Sequence, residues 1–593
     1  MNTQTSLISG SEILLRALLA EGVECVFGYP GGSVLYIYDA MHGNSDFRHL
    51  LTRHEQGAIH AADGYARSTG KIGVCLATSG PGATNLVTGI ATAYMDSVPL
   101  VVVTGNVATD LIGSDAFQEA DIIGITQPVT KHNFFVRNVE DLAGTIREAF
   151  HIAGTGRKGP VLIDIPKDVS AALTGFSSEE YVRAGENSLH SKAVTPNTDT
   201  LEQPLERLAD ALRQAERPLI LCGGGVISSG ASEALDELVR LTGIPVTTTL
   251  LGLGGYTGDS ALWLGMPGMH GTVAANHALI HCDLLLSVGA RFDDRVTMKL
   301  DSFAQKATIA HIDIDAAEIG KLVPTAIRLP GDAQEVLERL NRKLLNEPST
   351  GGALCSMELS GRTKHDGWVA KLSALKFDYP LRYDDPGTTL KPQYVIEMLS
   401  RTTEGEAIIT TDVGQHQMWT AQFYRWKRPR SLITSGGLGT MGFGFPAAIG
   451  AQIGNPGQLV ISVNGDGGMQ MCAQELAVCA IHRIPVKIVV LNNGTLGMIR
   501  QWQELIYSRR YSHIDLSGSP DFVKLAEAYG VPAGRAADKA EAERQWRIAM
   551  ETDGPYLIDF VVSKDELVFP MVPQGSGLPD MILGTSGEAK YDG

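Results

Sequence analysis

The apolar positions of this chain fall in short, nearly unbroken runs rather than in alternation with polar ones. GVECVFGYP, IGVCLATS, PLVVVTG and GPVLIDIP recur between residues 10 and 170, separated by stretches of helical period. Runs of this kind fit strands covered on both faces, as in parallel sheets, and the alternation with helices predicts βαβ units. The rhythm repeats twice. RPLILCGGG, IPVTTTL, CDLLLSVGA and ATIAHIDID mark a second α/β region, and EAIITTDVG, QLVISVNGD, PVKIVVLNN and YLIDFVV a third. Polar, aperiodic stretches at 175–200 and 346–390 read as connectors. The expected fold is therefore α/β, with three doubly wound parallel-sheet domains at 1–180, 200–345 and 391–562. A Pro- and Gly-containing tail at 563–593 reads as an extended segment laid over the body or over a site. The N-terminus reads as an amphipathic helix opening near Ser9 or Ser11.

One internal echo bears on function. Val74–Asn106 lies over Val460–Asn492 without a gap, matching Ala91, Pro99, Val103 and Asn106 to Ala477, Pro485, Val489 and Asn492. Both stretches read as strand, glycine-rich turn (TSGPG or NGDGG), helix, Pro-led strand, Asn. The first and third domains are thus expected to be versions of one unit. A site between two such units suits an elongated cofactor.

Composition narrows the classes. The chain has 593 residues, 44% of them hydrophobic and 19% charged, which is ordinary globular material. Glycine is abundant at 66 residues, which suits many strand-to-helix turns and close backbone approaches to ligands. The formal net charge of −17 repels phosphate backbones, so nucleic acid is not an expected partner. Seven cysteines without a CxxC pair argue against a disulfide scaffold or structural zinc and fit a reducing compartment. No basic leader with an apolar core and no apolar run near the length of a membrane span is present. A cytoplasmic, membrane-free protein is expected.

The sharpest chemical signal is Gly465-Asp466-Gly467-Gly468 at the end of QLVISVNGD, with Asn492-Asn493 at the end of the next strand. Neighbouring parallel strands would put both ends on one carboxyl edge, where α/β sheets bind ligands. A carboxylate and an amide oxygen form a hard donor set suited to magnesium already carrying a diphosphate. The two glycines would let the backbone approach a phosphate.

GDG followed by NN at this spacing resembles the thiamine-diphosphate-binding motif. RHEQGAIHAADGYAR, TSGPGATN, DAFQEADI, ARFDDRVT, TDVGQHQMW, GGLGTMGFGFPAAIGA and LGMIRQWQ resemble, in the same order, the acetohydroxyacid (acetolactate) synthase catalytic-subunit family over about residues 10–575. The resemblance implies decarboxylation of pyruvate and condensation of the two-carbon fragment with a second 2-ketoacid, pyruvate or 2-ketobutyrate. That reaction opens branched-chain amino-acid synthesis. A pyruvate oxidase or a 2-ketoacid decarboxylase is the alternative on the same scaffold.

Site residues follow from the resemblance, position by position. Glu55 would contact the aminopyrimidine ring nitrogen of thiamine diphosphate. Gln415 and His416 would contact the diphosphate, with Gly467 and Gly468 beside it. Met418 would wedge the cofactor into its bent form, and Gly439 and Met441 would flank the aminopyrimidine. Asp466, Asn493 and the Thr495 carbonyl would hold Mg2+. FAD would lie in the middle domain. Arg157, Gly223, Gly224, Thr249 and Leu250 match one part of its site, Met269, His270, Gly289 and Arg291 another, and Asp313 and Asp332 a third. The family's flavin takes no net part in the reaction. Arg295 could hold the acceptor's carboxylate by a forked pair of bonds, and Trp502 offers a flat wall for its alkyl group. Phe117, Gln118 and Lys167 match positions on the approach to the reacting carbon. Because Glu55 and Asp466 come from different domains and meet in this family across a dimer interface, self-association is implied. So is a separate, smaller regulatory subunit. The family's pattern departs at Gly468, where many relatives carry Ser. Ala108 and the absence of a transit peptide point to a bacterial-type chain.

Overall fold

The computed structural model describes residues 6–44, 46, 48–189, 201–346, 364–387, 389–518 and 520–584. Three all-parallel sheets form its body. The first runs, edge to edge, through Arg48–Leu51, Cys25–Gly28, Gly73–Ala77, Leu100–Asn106, Pro160–Pro166 and His132–Phe135. The third runs through Leu432–Thr434, Ile408–Thr411, Val460–Gly465, Lys487–Asn492, Tyr556–Val561 and Ala533–Ala536. In chain order both read second, first, third, fourth, sixth, fifth. The strands of the internal echo, Gly73–Ala77 with Val460–Gly465 and Leu100–Asn106 with Lys487–Asn492, hold the same places in the two sheets. The first and third units therefore share one topology.

The middle sheet has five parallel strands, Val246–Thr248, Pro218–Cys222, Leu284–Val288, Thr308–Asp313 and Ile327–Pro330. A small antiparallel pair, Ser6–Ser9 with Leu173–Phe176, closes the first unit. Its N-terminal helix, Gly10–Ala20, starts on a capping box formed by Ser9 and Glu12.

The polar connectors contain more structure than their composition suggests. Residues Ser178–Leu189 form a helix, and so do Asp366–Asp378. Each is held by a buried aromatic: Tyr181 donates to Glu21 Oε1 at 2.7 Å, and Trp368 donates through its ring nitrogen to the Pro218 carbonyl at 3.1 Å. Residues 190–200 and 347–363 lie outside the described residues.

The first and third units pack through two helices, Glu55–Thr69 and Gly444–Gly454. Ile59, Ala62 and Tyr65 share one apolar core with Phe443, Phe445 and Ile449. The backbones approach so closely that a methyl added at Gly64 would overlap the carbonyl of Ala447. One added at Gly450 would overlap that of Ala61. Gly450→Ala is expected to destabilise this interface by about 3 kcal/mol, the upper part of the range for an overpacked core. Thermal unfolding should record it as a clear fall in midpoint.

The tail is docked as far as it is described. Val572, Leu578 and Met581 are buried with Leu219 and Leu285 in the core under the middle sheet. No helix among the described residues is long and apolar enough to cross a membrane. The six described cysteines are buried and unpaired.

Candidate active site

The carboxyl edge of the third sheet gathers the GDG and NN elements. Strand Val460–Gly465 pairs in register with Lys487–Asn492, setting Gly465 beside Leu491, so Asp466 and Asn493 emerge on the same edge. Asp466 opens helix Asp466–Cys472. Burial raises its carboxyl to about 6, against backbone N–H groups of Gly467 and Gly494 that favour the charge. Asn493 Oδ1 accepts from Thr495 N at 3.1 Å, and Thr495 Oγ1 donates to the Ile514 carbonyl. The third side of this edge comes from the turn after Ile408–Thr411, which carries Gln415 and His416 at the start of a helix.

Three buried polar atoms around this edge have no hydrogen-bond partner: Asp466 Oδ2, Gln415 Oε1 and His416 Nε2. Burying such atoms unpaired is costly, so their convergence fits a ligand that supplies their partners. Desolvation lowers His416 to about 4, so its imidazole is neutral near pH 7. Gly497 keeps the wall open, since a methyl there would overlap Gln415 Oε1. One carboxylate, one amide oxygen and a backbone carbonyl fit magnesium bridged to a diphosphate better than zinc or iron. Gly467 faces Leu496, Leu516 and Met441. Gly468 instead turns inward, where any side chain would overlap the buried carboxylate of Asp412. Asp412 accepts from the amides of Gly442 and Gly444 at 2.9 and 3.1 Å and so fixes the GTMGFG loop. Motif reading left out this residue, although TDVGQHQMW contains it. A buried carboxylate bonded only to backbone has no sequence signature.

The first sheet presents its own edge. Glu55 begins helix Glu55–Thr69, and its Oε2 accepts from Asn85 Nδ2 at 3.0 Å. Gly82 lies against Glu55 Oε1, and Gly80, four residues after the strand's Leu76, lies against Gln118. The TSGPG turn thus sits between Glu55 and Gln118. Gln118 holds a left-handed backbone (φ 61°), and its neighbour Phe117 is 88% exposed. Lys167 follows strand Pro160–Pro166 on the same edge, its ammonium 6.0 Å from the Tyr36 ring centre.

A cavity of about 880 Å3 is lined by residues of all three units. It brings together most of the residues expected at the flavin. Gly224, Thr249, Leu250, Gly289, Met269, His270, Arg291, Arg157, Asp313 and Asp332 all line it. Gly223 does not line it. Its backbone is pressed against Gly289 and Ala290, with its N–H donated to Val288 O, so it closes the strand turn behind the wall. Arg157 is already paired with Glu318 at 2.8 Å and Asp315 at 3.3 Å. His270 is buried, with Nδ1 3.2 Å from the Pro570 carbonyl, and desolvation lowers it to about 4. The volume, the close glycine backbones and the Arg291 and Arg430 side chains on the wall fit an elongated anionic dinucleotide.

The same cavity is also lined by Met418, Gly439, Arg295 and Trp502. Arg295 is 57% exposed and sits 3.9 Å from Asp294, too far for a strong ion pair, and its Nη1 lies 3.6 Å from Met269 Sδ. Trp502 projects from helix Gly497–Leu505. That helix is tied to the tail by Gln501, which donates to the Val568 carbonyl at 3.1 Å and accepts from the Val568 amide at 2.8 Å.

Comparison with known proteins agrees with this layout. The N-terminal TPP-binding domain of thiamine pyrophosphate enzymes matches residues 8–125, their central domain 205–340 and their C-terminal TPP-binding domain 412–560. Acetolactate synthase of Mycobacterium bovis is 48% identical over 577 residues, covering 96% of this chain and 90% of its own. The chloroplastic acetolactate synthase of Arabidopsis thaliana is 45% identical over 589 residues, covering 98% and 85%. The acetolactate synthase large subunit of Haemophilus influenzae is 45% identical over 579 residues, covering 97% and 98%. With three units in this order and identity sustained along the whole chain, the protein belongs to the acetolactate synthase large-subunit family of thiamine-diphosphate-dependent enzymes.

Proposed function

We propose that this chain carries out the acetolactate synthase reaction with the residue roles set out here. Pyruvate loses carbon dioxide, and the remaining two-carbon fragment is joined to the carbonyl of a second 2-ketoacid. Thiamine diphosphate, when bound, supplies the electron sink that makes the decarboxylation possible. Asp466, Asn493 and the Thr495 carbonyl would hold Mg2+, and Gln415 and His416 would hold the diphosphate. Met418, Gly439 and Met441 would contact the rest of the cofactor. Glu55 would hold a proton at its pyrimidine nitrogen. FAD would take the large cavity as a structural ligand. Gln118 and Lys167 orient the reacting carbon from the first unit.

The observation that carries the acceptor side is that Met418, Arg295 and Trp502, from three separate elements, line one cavity. Arg295 binds the acceptor's carboxylate with two parallel bonds, and the Trp502 ring packs on its alkyl group. A pyruvate oxidase or simple decarboxylase has no second ketoacid for these two residues to hold. Trp502→Leu is expected to lower the preference for 2-ketobutyrate over pyruvate by about tenfold, the equivalent of one methylene's contact. Competition between the two acceptors, with both products quantified, reads this directly.

Self-association completes the site in this reading. Glu55 and Gln118 lie on the first sheet's edge and Asp466 on the third's, and the exposed Leu111, Ile112 and Phe117 flank the former. A second copy covering that loop would bury them against its own third unit. A smaller regulatory subunit is a further expected partner. Sedimentation at increasing protein concentration, with loss of activity on dilution below the association midpoint, tests the shared site.

A further inference from the structure

Glu475 plays no part in the scheme above, yet it is fully buried beside the helix that carries Glu55. It ends the single turn Ala473–Glu475, directly after helix Asp466–Cys472. Both its carboxylate oxygens accept from the backbone N–H of Arg53, each at 3.1 Å. Gly57 lies flat against the same carboxylate, and a methyl there would overlap Glu475 Oε1. Arg53 and His54 are the two residues before Glu55, and Glu55 is the first residue of its helix.

The first N–H groups of a helix and of the segment leading into it have no partner within the helix. The His54 side chain covers one, accepting from Gln56 N at 3.0 Å. Glu475 covers the Arg53 N–H before it from the far side of the chain, with both carboxyl oxygens turned to that one donor. A two-oxygen grip on one N–H fixes both the position and the direction of the backbone that enters Glu55.

We propose that Glu475 is a positioning residue for Glu55, linking the helix opened by Asp466 to the backbone that aims the Glu55 carboxylate. The inference rests on the role given to Glu55. The contact joins the first and third units of one chain. Glutamine at 475 keeps one acceptor oxygen but turns an NH2 toward the Arg53 N–H, so the grip is lost with little change in volume.

The test is a double-mutant cycle in the full-length holoenzyme. Glu475→Gln is expected to lower kcat about ten- to a hundredfold, the cost of a small misplacement of a reacting group. The KM for pyruvate should stay within about twofold. In the cofactor-free protein the amides of 53–58 should exchange hydrogen faster. Added to Glu55→Gln, Glu475→Gln should cause no further loss. Gly57→Ala, which displaces the carboxylate without removing it, should show the same pattern if the glutamine variant folds poorly. Losses that multiply in the double mutant, or an unchanged kcat with faster exchange, would overturn the proposal. Wild-type turnover in Glu55→Gln alone would overturn the role of Glu55 and this one with it.

Discussion

Glu55→Gln should lose about 10²- to 10⁴-fold in kcat while folding normally, the range removed with a positioned proton-transfer group. The substitution is almost isosteric. Glutamine retains an oxygen to accept from Asn85 Nδ2, the bond the native carboxylate makes at 3.0 Å. Gly82, which faces Glu55 Oε1, tolerates either group. The helix start is unaffected, because His54 caps it and Glu475 holds the residues before it. What disappears is the ability to share a proton with a ring nitrogen, and nothing else nearby replaces it. Steady-state pyruvate consumption and a thermal melt on the same preparation separate the two effects. A melt like the wild type with near-normal turnover would contradict the role of Glu55.

The second large effect has opposite signs in the empty and loaded protein. Asp466 is buried, and its carboxyl is raised from 3.8 to about 6 by desolvation. A raised value in the folded state means that this group favours folding below pH 3.8 and that the benefit is lost as pH rises to about 6. Near pH 7 the cofactor-free protein therefore carries a buried charge that works against it. Asp466→Asn removes that charge with almost no change in volume. The cofactor-free variant is expected to melt above the wild type at pH 7.5. Thiamine diphosphate with Mg2+ should then raise the wild-type melt but not the variant's. A ligand at a hundred times its dissociation constant contributes about 2.7 kcal/mol. For the wild type, the cation's effect should weaken as pH falls through about 6, where the carboxyl takes up its proton. A variant that melts lower and still responds to the cofactors would place the metal elsewhere.

In the first and third sheets the central strands are legible in the apolar runs, and the edge strands are not. VVVTG and VISVNG are buried on both faces and read as strands at once. Arg48–Leu51 and His132–Phe135 at the rims of the first sheet are half exposed and mostly polar or aromatic. Leu432–Thr434 and Ala533–Ala536 hold the same rim positions in the third sheet and are equally silent. An edge strand is covered on fewer sides, so burial leaves a weaker mark on its sequence. The gapless echo between Val74–Asn106 and Val460–Asn492 begins and ends in central strands, which is why it was visible.

Of the site, the parts fixed by backbone chemistry were legible: GDG and NN at adjoining strand ends, and the glycine turn after RPLIL. Met418, Arg295 and Trp502 carry no pattern of their own and came only with the family's motifs. The inward residues went unread. Asp412 holds the GTMGFG loop, and Asp96 and Arg67 tie the first unit to Gly436, Gly437 and Thr434. Each acts through backbone groups of a distant segment, and such a bond has no local spacing to betray it.

The most direct test is turnover of pyruvate by the full chain with thiamine diphosphate, Mg2+ and FAD, following acetolactate and dissolved oxygen together. Acetolactate should form at about half the rate of pyruvate loss, the stoichiometry of joining two ketoacids with release of one carbon dioxide, without matching oxygen uptake. Acetaldehyde or acetate as the main product, or oxygen consumed in step with pyruvate, would contradict the carboligase reading and the roles given to Arg295 and Trp502.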